Sequence, residues 1–406
     1  MGRGRWLILA VWLYGVTNYL DRVAMSFAGP AIMKSLHISP ATFGAILSSF
    51  SVGYALSQLP GGILADRWKP KPILIVAPLL WAVLTGVTGL VSTASAFIAL
   101  RVGLGIAEGI ALGAIFKIQF DNFPSEHRSL VASIGLTPIA VAPALAGPLV
   151  GTLVSADGWQ AAFFALTVPS IAIAVVNYFL IPNRSLLEGE HSTSRPKAGS
   201  FSEIVRLRSF WVIAATWFCF NFAYWGYNGW MPSFLAMERH VDIKTMGYLG
   251  GLPFAIGLIG MIFFGWLGTR MHKYRPQLLA VCYLGAAAGL FIAYSAASVS
   301  GSVAGLSMTA FFLFSGTSGI YALAADLSPD GSRGTYWGAV SALGQLAGAL
   351  APITVGQLIS LTGTFSTGLS VMIVMLLIAC ALVLLLLLDY RSKLQSFNSA
   401  VPQRQG

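Results

Sequence analysis

Four ionisable side chains occur where the sequence is otherwise apolar: Asp21 and Arg22 within residues 6–34, Arg101 and Glu108 within residues 94–117. An ionised side chain at mid-bilayer depth costs about 2.5–3.5 kcal/mol on an insertion scale. Four unpaired ones would cost roughly 10 kcal/mol, comparable to the stability of a whole domain. They must therefore face a protein interior or a wet cavity, and their charges sum to zero. Arg101 and Glu108 are two helical turns apart and share one helix face. Asp21 and Arg22 are neighbours that point about 100° apart, so they serve different contacts. The chemistry open to such a set is an exchange of ions without bond making. A guanidinium fork matches a carboxylate bidentately and stays charged. An acid in a low dielectric favours its neutral form, whereas a nearby arginine favours the charged one. A solute carboxylate that takes the arginine thereby releases an acid to take a proton. The competing reading is a static cluster of ion pairs holding helices together.

The surrounding elements explain why these charges stand out. The chain has 406 residues, 56% hydrophobic and only 9% charged, with a mean hydropathy of +0.76. Soluble domains carry about 25% charged residues, and disordered chains carry more polar ones still. The solvent implied is a bilayer. Apolar runs near the roughly 20 residues a span needs recur twelve times, at 6–34, 42–66, 72–92, 94–117, 128–154, 158–181, 208–236, 244–270, 276–297, 300–325, 332–360 and 364–388. With the N-terminus inside, nineteen of the 24 basic residues fall in cytoplasmic segments and only Lys34, Arg239 and Lys244 outside. That asymmetry is the positive-inside rule. The net charge of +10 therefore reports topology and not a nucleic-acid partner. The fold class expected is an all-α membrane protein of twelve spans, with both termini cytoplasmic.

The polar stretch 182–207 divides the chain into halves of six spans, 1–181 and 208–390, followed by a tail, 391–406. Span 1 is too long for a signal peptide and carries Asp21-Arg22, so it reads as retained. The halves echo each other: Gly62 to Lys71 follows span 2, and Gly265 to Lys273 follows span 8. In both, glycine permits close helix approach and the charged turn can pin neighbouring helix ends. Gly105, Gly109 and Gly113 form a small-residue packing face on span 4. Cys219, Cys282 and Cys380 lie in apolar runs, and the five histidines sit in loops or at span ends. Neither set has metal spacing or a catalytic partner, so no metal, no cofactor and no enzyme is expected.

These residues resemble the major facilitator superfamily, and more narrowly its anion:cation symporter family, which includes bacterial sugar-acid/proton symporters, sialin and the vesicular glutamate transporters. Gly62, Asp66, Arg67 and Lys71 match the superfamily's loop 2–3 signature, with Lys69 and Pro70 departing from it. The narrower likeness rests on Tyr19-Leu20-Asp21-Arg22 in span 1, and on Ser48-Ser49-Phe50 with Tyr54, Gln58, Pro60, Gly61 and Gly62 in span 2. It continues through Arg101, Gly105, Glu108 and Gly109 in span 4, Phe123-Pro124 with Arg128 after it, and Trp230-Met231-Pro232 in span 7. The resemblance implies two six-helix halves that rock about a central cavity. It implies that Arg22 binds the substrate anion and that Tyr19 and Tyr54 place hydroxyls nearby. Asp21 and Glu108 are implied to be protonated during transport, with Arg101 as the basic partner of Glu108, and Gly62, Asp66 and Arg67 to gate the loop.

Span 7 carries ten aromatic residues, and Asn221, Tyr224 and Asn228 share one of its faces. That face reads as hydrogen bonds and ring stacking for the non-ionic part of a solute, while more than half of the ten rings are expected to face lipid or its interface. Ser341 and Gln345 on span 11 add polarity. The function expected is proton-coupled uptake of a small organic anion, such as a sugar acid, by a monomer in a bacterial inner membrane. Sodium is the alternative coupling cation. A proton-driven exporter of organic anions or drugs, and a transporter-like sensor without flux, are the alternative functions.

Overall fold

A computed structural model of the chain describes residues 2–123, 125–182, 201–329 and 333–390. Most of the linker and the C-terminal tail lie outside these. The described residues contain no strand. The helices are α1 (Gly2–Leu36), α2 (Pro40–Arg67), α3 (Pro70–Thr88), α4 (Ala94–Asn122), α5 (Ser125–Leu136), α6 (Pro138–Leu180), the short α7 (Phe201–Ile204), α8 (Arg208–Ser233), α9 (Ile243–Arg270), α10 (Arg275–Ser295), α11 (Val299–Leu327), α12 (Arg333–Thr362) and α13 (Phe365–Leu385). Gly158 breaks α6 with a φ of 84°, a left-handed conformation that only glycine adopts cheaply. It separates spans five and six, so the chain makes the twelve crossings expected. Eight stretches are long and apolar enough to cross a bilayer, one of them the double-length Leu130–Leu180. The crossings that fall short of that composition are α1, α2 and α8, the helices that carry buried charges, serines and amides.

Local chemistry sets the helix ends. Four helices start behind a short polar cap: Ser39 accepts from Thr42 N at 3.2 Å, Thr93 from Ala96 N at 3.4 Å, Asp242 from Thr245 N at 3.0 Å and Ser298 from Gly301 N at 3.1 Å. Those bonds hold the exposed Asp242 carboxyl below the usual carboxylate range. Helices α3 and α10 start with a proline in the first turn, where the missing N–H costs nothing. Pro78 inside α3 deprives the Leu74 carbonyl of its helical donor. Asn177 on α6, fully buried, supplies one from its Nδ2 at 2.7 Å.

Two compact units emerge: Met1–Ser194 with Gly226–Ala255 and Ala349–Gly368, and Arg195–Trp225 with Ile256–Gly348 and Leu369–Gly406. The first unit therefore joins the first six spans to the C-terminal ends of α8 and α12 and the N-terminal ends of α9 and α13. Trp230 Nε1 donates to Pro352 O at 3.0 Å, Ile353 N to Ser48 Oγ at 3.1 Å and Ala41 N to Ser360 Oγ at 2.8 Å. These bonds tie α8 and α2 to α12 on that side.

Within the first unit α2 and α4 touch backbone to backbone. A Cβ on Gly53 would lie 2.1 Å from Val102 O, and one on Gly105 would lie 2.2 Å from Phe50 O. The glycine face expected on α4 is this seam. The end of α2 that leads into α3 is fastened from α4. Lys117 Nζ caps the α2 carbonyls of Ala65 at 2.6 Å and Trp68 at 3.4 Å, while Arg67 is exposed. The side chain of Asp66 lies outside the described residues. In the second unit Arg275 pairs with Asp326, which also accepts from Tyr390 Oη at 3.1 Å.

Gly53→Val is expected to destabilise the fold by about 1–3 kcal/mol through overpacking, read as a lower melting temperature in detergent. Gly62→Ala, whose added Cβ meets nothing within 4 Å, is expected to melt like the unmodified protein.

Candidate functional site

The four charges all lie in the first unit. Asp21 is 2% exposed, Arg22 9%, Arg101 4% and Glu108 3%. With water this remote, they must be compensated by one another and by polar side chains. Arg22 Nη2 meets Glu108 Oε2 at 2.6 Å, joining α1 to α4. The guanidinium carbon also lies over three rings, Tyr19 at 4.8 Å, Phe50 at 4.6 Å and Tyr54 at 4.9 Å. Such cation–π contacts are worth about 2 kcal/mol or more when desolvated. Asn18, one turn before Arg22, lies on the same face of α1. Asp21 points instead toward α3, where Thr85 Oγ1 donates to its Oδ2 at 2.5 Å. The 100° divergence of Asp21 and Arg22 thus sends one to α3 and the other to α4.

This geometry corrects the pairing implied by resemblance. Arg22, not Arg101, is the ion-pair partner of Glu108. Arg101, buried on α4, has no salt bridge to either acid among the described residues. Glu108 lies two turns along α4 from Arg101, so an arginine reaching across from α1 meets its carboxylate more directly. Two site residues escaped sequence reasoning. Phe50 stacks on Tyr54 at 5.8 Å, and their four-residue spacing on one helix was the available signal. Thr85 had none, because a threonine in an apolar helix ordinarily satisfies itself on its own backbone.

The chemistry of the arrangement follows from the pair. Removing one partner of a buried ion pair strands the other at a cost of about 3–5 kcal/mol. Glu108 can leave Arg22 without that penalty when a proton neutralises it and another carboxylate takes the guanidinium. Tyr19, Tyr54 and Asn18 are only half-buried. No group of three or more metal-ligating side chains occurs among the described residues.

Asn228 belongs to the first unit and is buried. The other polar residues singled out on α8 and α12 belong to the second. Asn221 donates from Nδ2 to Trp217 O of its own helix at 2.8 Å. Tyr224 is buried against Phe314 at 5.6 Å. Ser341 and Gln345 are half-buried on α12, next to Gly344, whose missing side chain admits the Trp217 indole. The expectation that most α8 rings face lipid is wrong. Of the ten, only Trp211 is exposed, and seven are buried. Trp217 stacks on Phe220 at 5.4 Å and packs on Trp337 at 5.2 Å.

A family model described as Major Facilitator Superfamily matches residues 11–352. A hexuronate transporter of Bacillus subtilis (strain 168) is 27% identical over 375 residues, covering 89% of this chain and 89% of its own. A probable sulfoacetate transporter of Cupriavidus necator is 30% identical over 368 residues, covering 86% and 85%. A solved bacterial homolog of the human lysosomal transporter Spinster, inward-facing and unoccupied, shares the fold with a TM-score of 0.81. Its identity is 19%, over 97% of this chain and 98% of that one.

Arg22→Met alone is expected to destabilise the protein by about 3–5 kcal/mol, whereas Arg22→Met with Glu108→Leu recovers most of the loss. Melting temperatures of the two variants check this.

Proposed function

We propose that this chain, which belongs to the Major Facilitator Superfamily and is a multi-pass membrane transporter, takes up a small organic anion together with protons. The solute class favoured is a sugar acid or comparable carboxylate, in keeping with the relatives named for hexuronate and sulfoacetate. Both termini are assigned to the cytoplasm of a bacterial inner membrane by the basic-residue asymmetry.

The observation that carries the reading is the buried Arg22–Glu108 pair beneath half-buried Tyr19 and Tyr54. The solute carboxylate takes the Arg22 fork, and Glu108, displaced, is neutralised by a proton. Asp21 takes the second proton, with Arg101 as its nearby charge. Tyr19 and Tyr54 orient the anion through their hydroxyls, and the glycine, acid and base at Gly62, Asp66 and Arg67 govern the loop between spans 2 and 3. The two six-helix halves rock about the loaded site, by analogy with the fold. Re-formation of the Arg22–Glu108 pair makes the empty return step cheap only when solute and proton have both left, which couples the two fluxes.

Two measurements test this. Arg22→Ala is expected to abolish the thermal shift that a panel of sugar acids gives the purified unmodified protein; a retained shift argues against Arg22 as the anion site. In proteoliposomes, Glu108→Gln or Asp21→Asn is expected to exchange labelled substrate at near-normal rates while losing accumulation driven by an inward proton gradient. Normal concentrative uptake in both variants overturns the coupling assignment, and outward movement under that gradient reverses the direction.

A further inference from the structure

The two buried acids are held by unlike chemistry. Glu108 rests on a full positive charge at 2.6 Å. Asp21 rests on a neutral hydroxyl, that of Thr85, at 2.5 Å, and has no ion-pair partner within contact distance among the described residues. Thr85 is 2% exposed on α3, so no water replaces its hydroxyl readily. A hydroxyl donates to a carboxylate and accepts from a carboxylic acid, so Thr85 serves both protonation states of Asp21 without moving. A hydrogen bond to an ionised group is stronger than one between neutral groups. The hydroxyl therefore favours the ionised state, against the burial that disfavours it.

Resting on the reading of Asp21 as a proton carrier, we propose that Thr85 is a positioning residue that sets the pH at which Asp21 takes up its proton. The other groups around Asp21 are few. Arg101 and Glu108 face it from α4, and Arg22 is its chain neighbour on α1. On α2, Tyr54 is gathered around Arg22. The charged residue of α6 is Asp157, which is exposed at the break of that helix, and Lys71 of α3 sits at its cytoplasmic start. On α5 His127 is exposed, and the side chains of Glu126 and Arg128 lie outside the described residues. Among these groups only Thr85 bonds the Asp21 carboxylate directly. Thr85→Val keeps the shape and removes that bond, so the protonated form of Asp21 persists to higher pH.

The test reads Asp21 itself. Infrared difference spectra of the purified full chain in nanodiscs are titrated with pH, and the carboxylic-acid band of Asp21 is assigned by its loss in Asp21→Asn. The midpoint in Thr85→Val is expected about one pH unit higher than in the unmodified protein, the size of one lost charge-assisted hydrogen bond, and Thr85→Ser is expected to restore it. Thr85→Ala repeats the measurement if the valine variant is not recovered folded. An Asp21 band that titrates normally in the unmodified protein and unmoved in both variants lacking the hydroxyl overturns the role of Thr85 alone. Absence of any titrating Asp21 band in the unmodified protein overturns the carrier assignment beneath it.

Discussion

A charge that leaves water must find another charge, and the first unit is organised around that requirement. Arg22 and Glu108 come from helices far apart in sequence and meet at 2.6 Å where neither is more than 9% exposed. A buried pair of this kind is a poor stabiliser compared with apolar packing of the same volume. Its retention in a chain with so few charges argues for use rather than for support. The three rings around the guanidinium add attraction without adding a competing anion. They leave Arg22 held but exchangeable, which suits the anion site proposed for it.

Close packing makes that contact possible. Glycines at the α2–α4 seam let two helix backbones approach until carbonyl oxygens lie where side chains would stand. The approach brings Phe50 and Tyr54 of α2 beside the arginine that α4 holds. Bilayers supply no hydrophobic drive between helices, so small residues and satisfied polar groups must do that work. Asn177 closes the gap that Pro78 opens at Leu74 for the same reason. Helix ends are fastened separately in each unit, by Lys117 on α2 carbonyls in the first and by the Arg275–Asp326–Tyr390 set in the second.

The aromatic face of α8 shows how composition misleads when lipid and protein interiors are equally apolar. Ten rings on one span look like a lipid-facing or interfacial helix, because tryptophan and tyrosine favour that boundary. In the structure the rings interlock with one another and with Tyr321, Trp337 and Phe314 inside the protein. Gly344 on α12 is what admits Trp217, a dependence invisible from either residue alone.

Hydropathy, basic-residue asymmetry and the four stranded charges were legible from the sequence, and they determined the bilayer, the twelve spans and the identity of the ionic residues. Those quantities are local: each depends on what a segment is made of. Even the divergence of Asp21 from Arg22 followed from helix geometry. The choice of partners was not local. Arg22 rather than Arg101 on Glu108, Thr85 on Asp21, and buried rather than lipid-facing rings on α8 each depend on which helices are neighbours and how closely they pack. Coulomb attraction has no direction along a sequence, and only the tertiary structure decides which of two arginines arrives first.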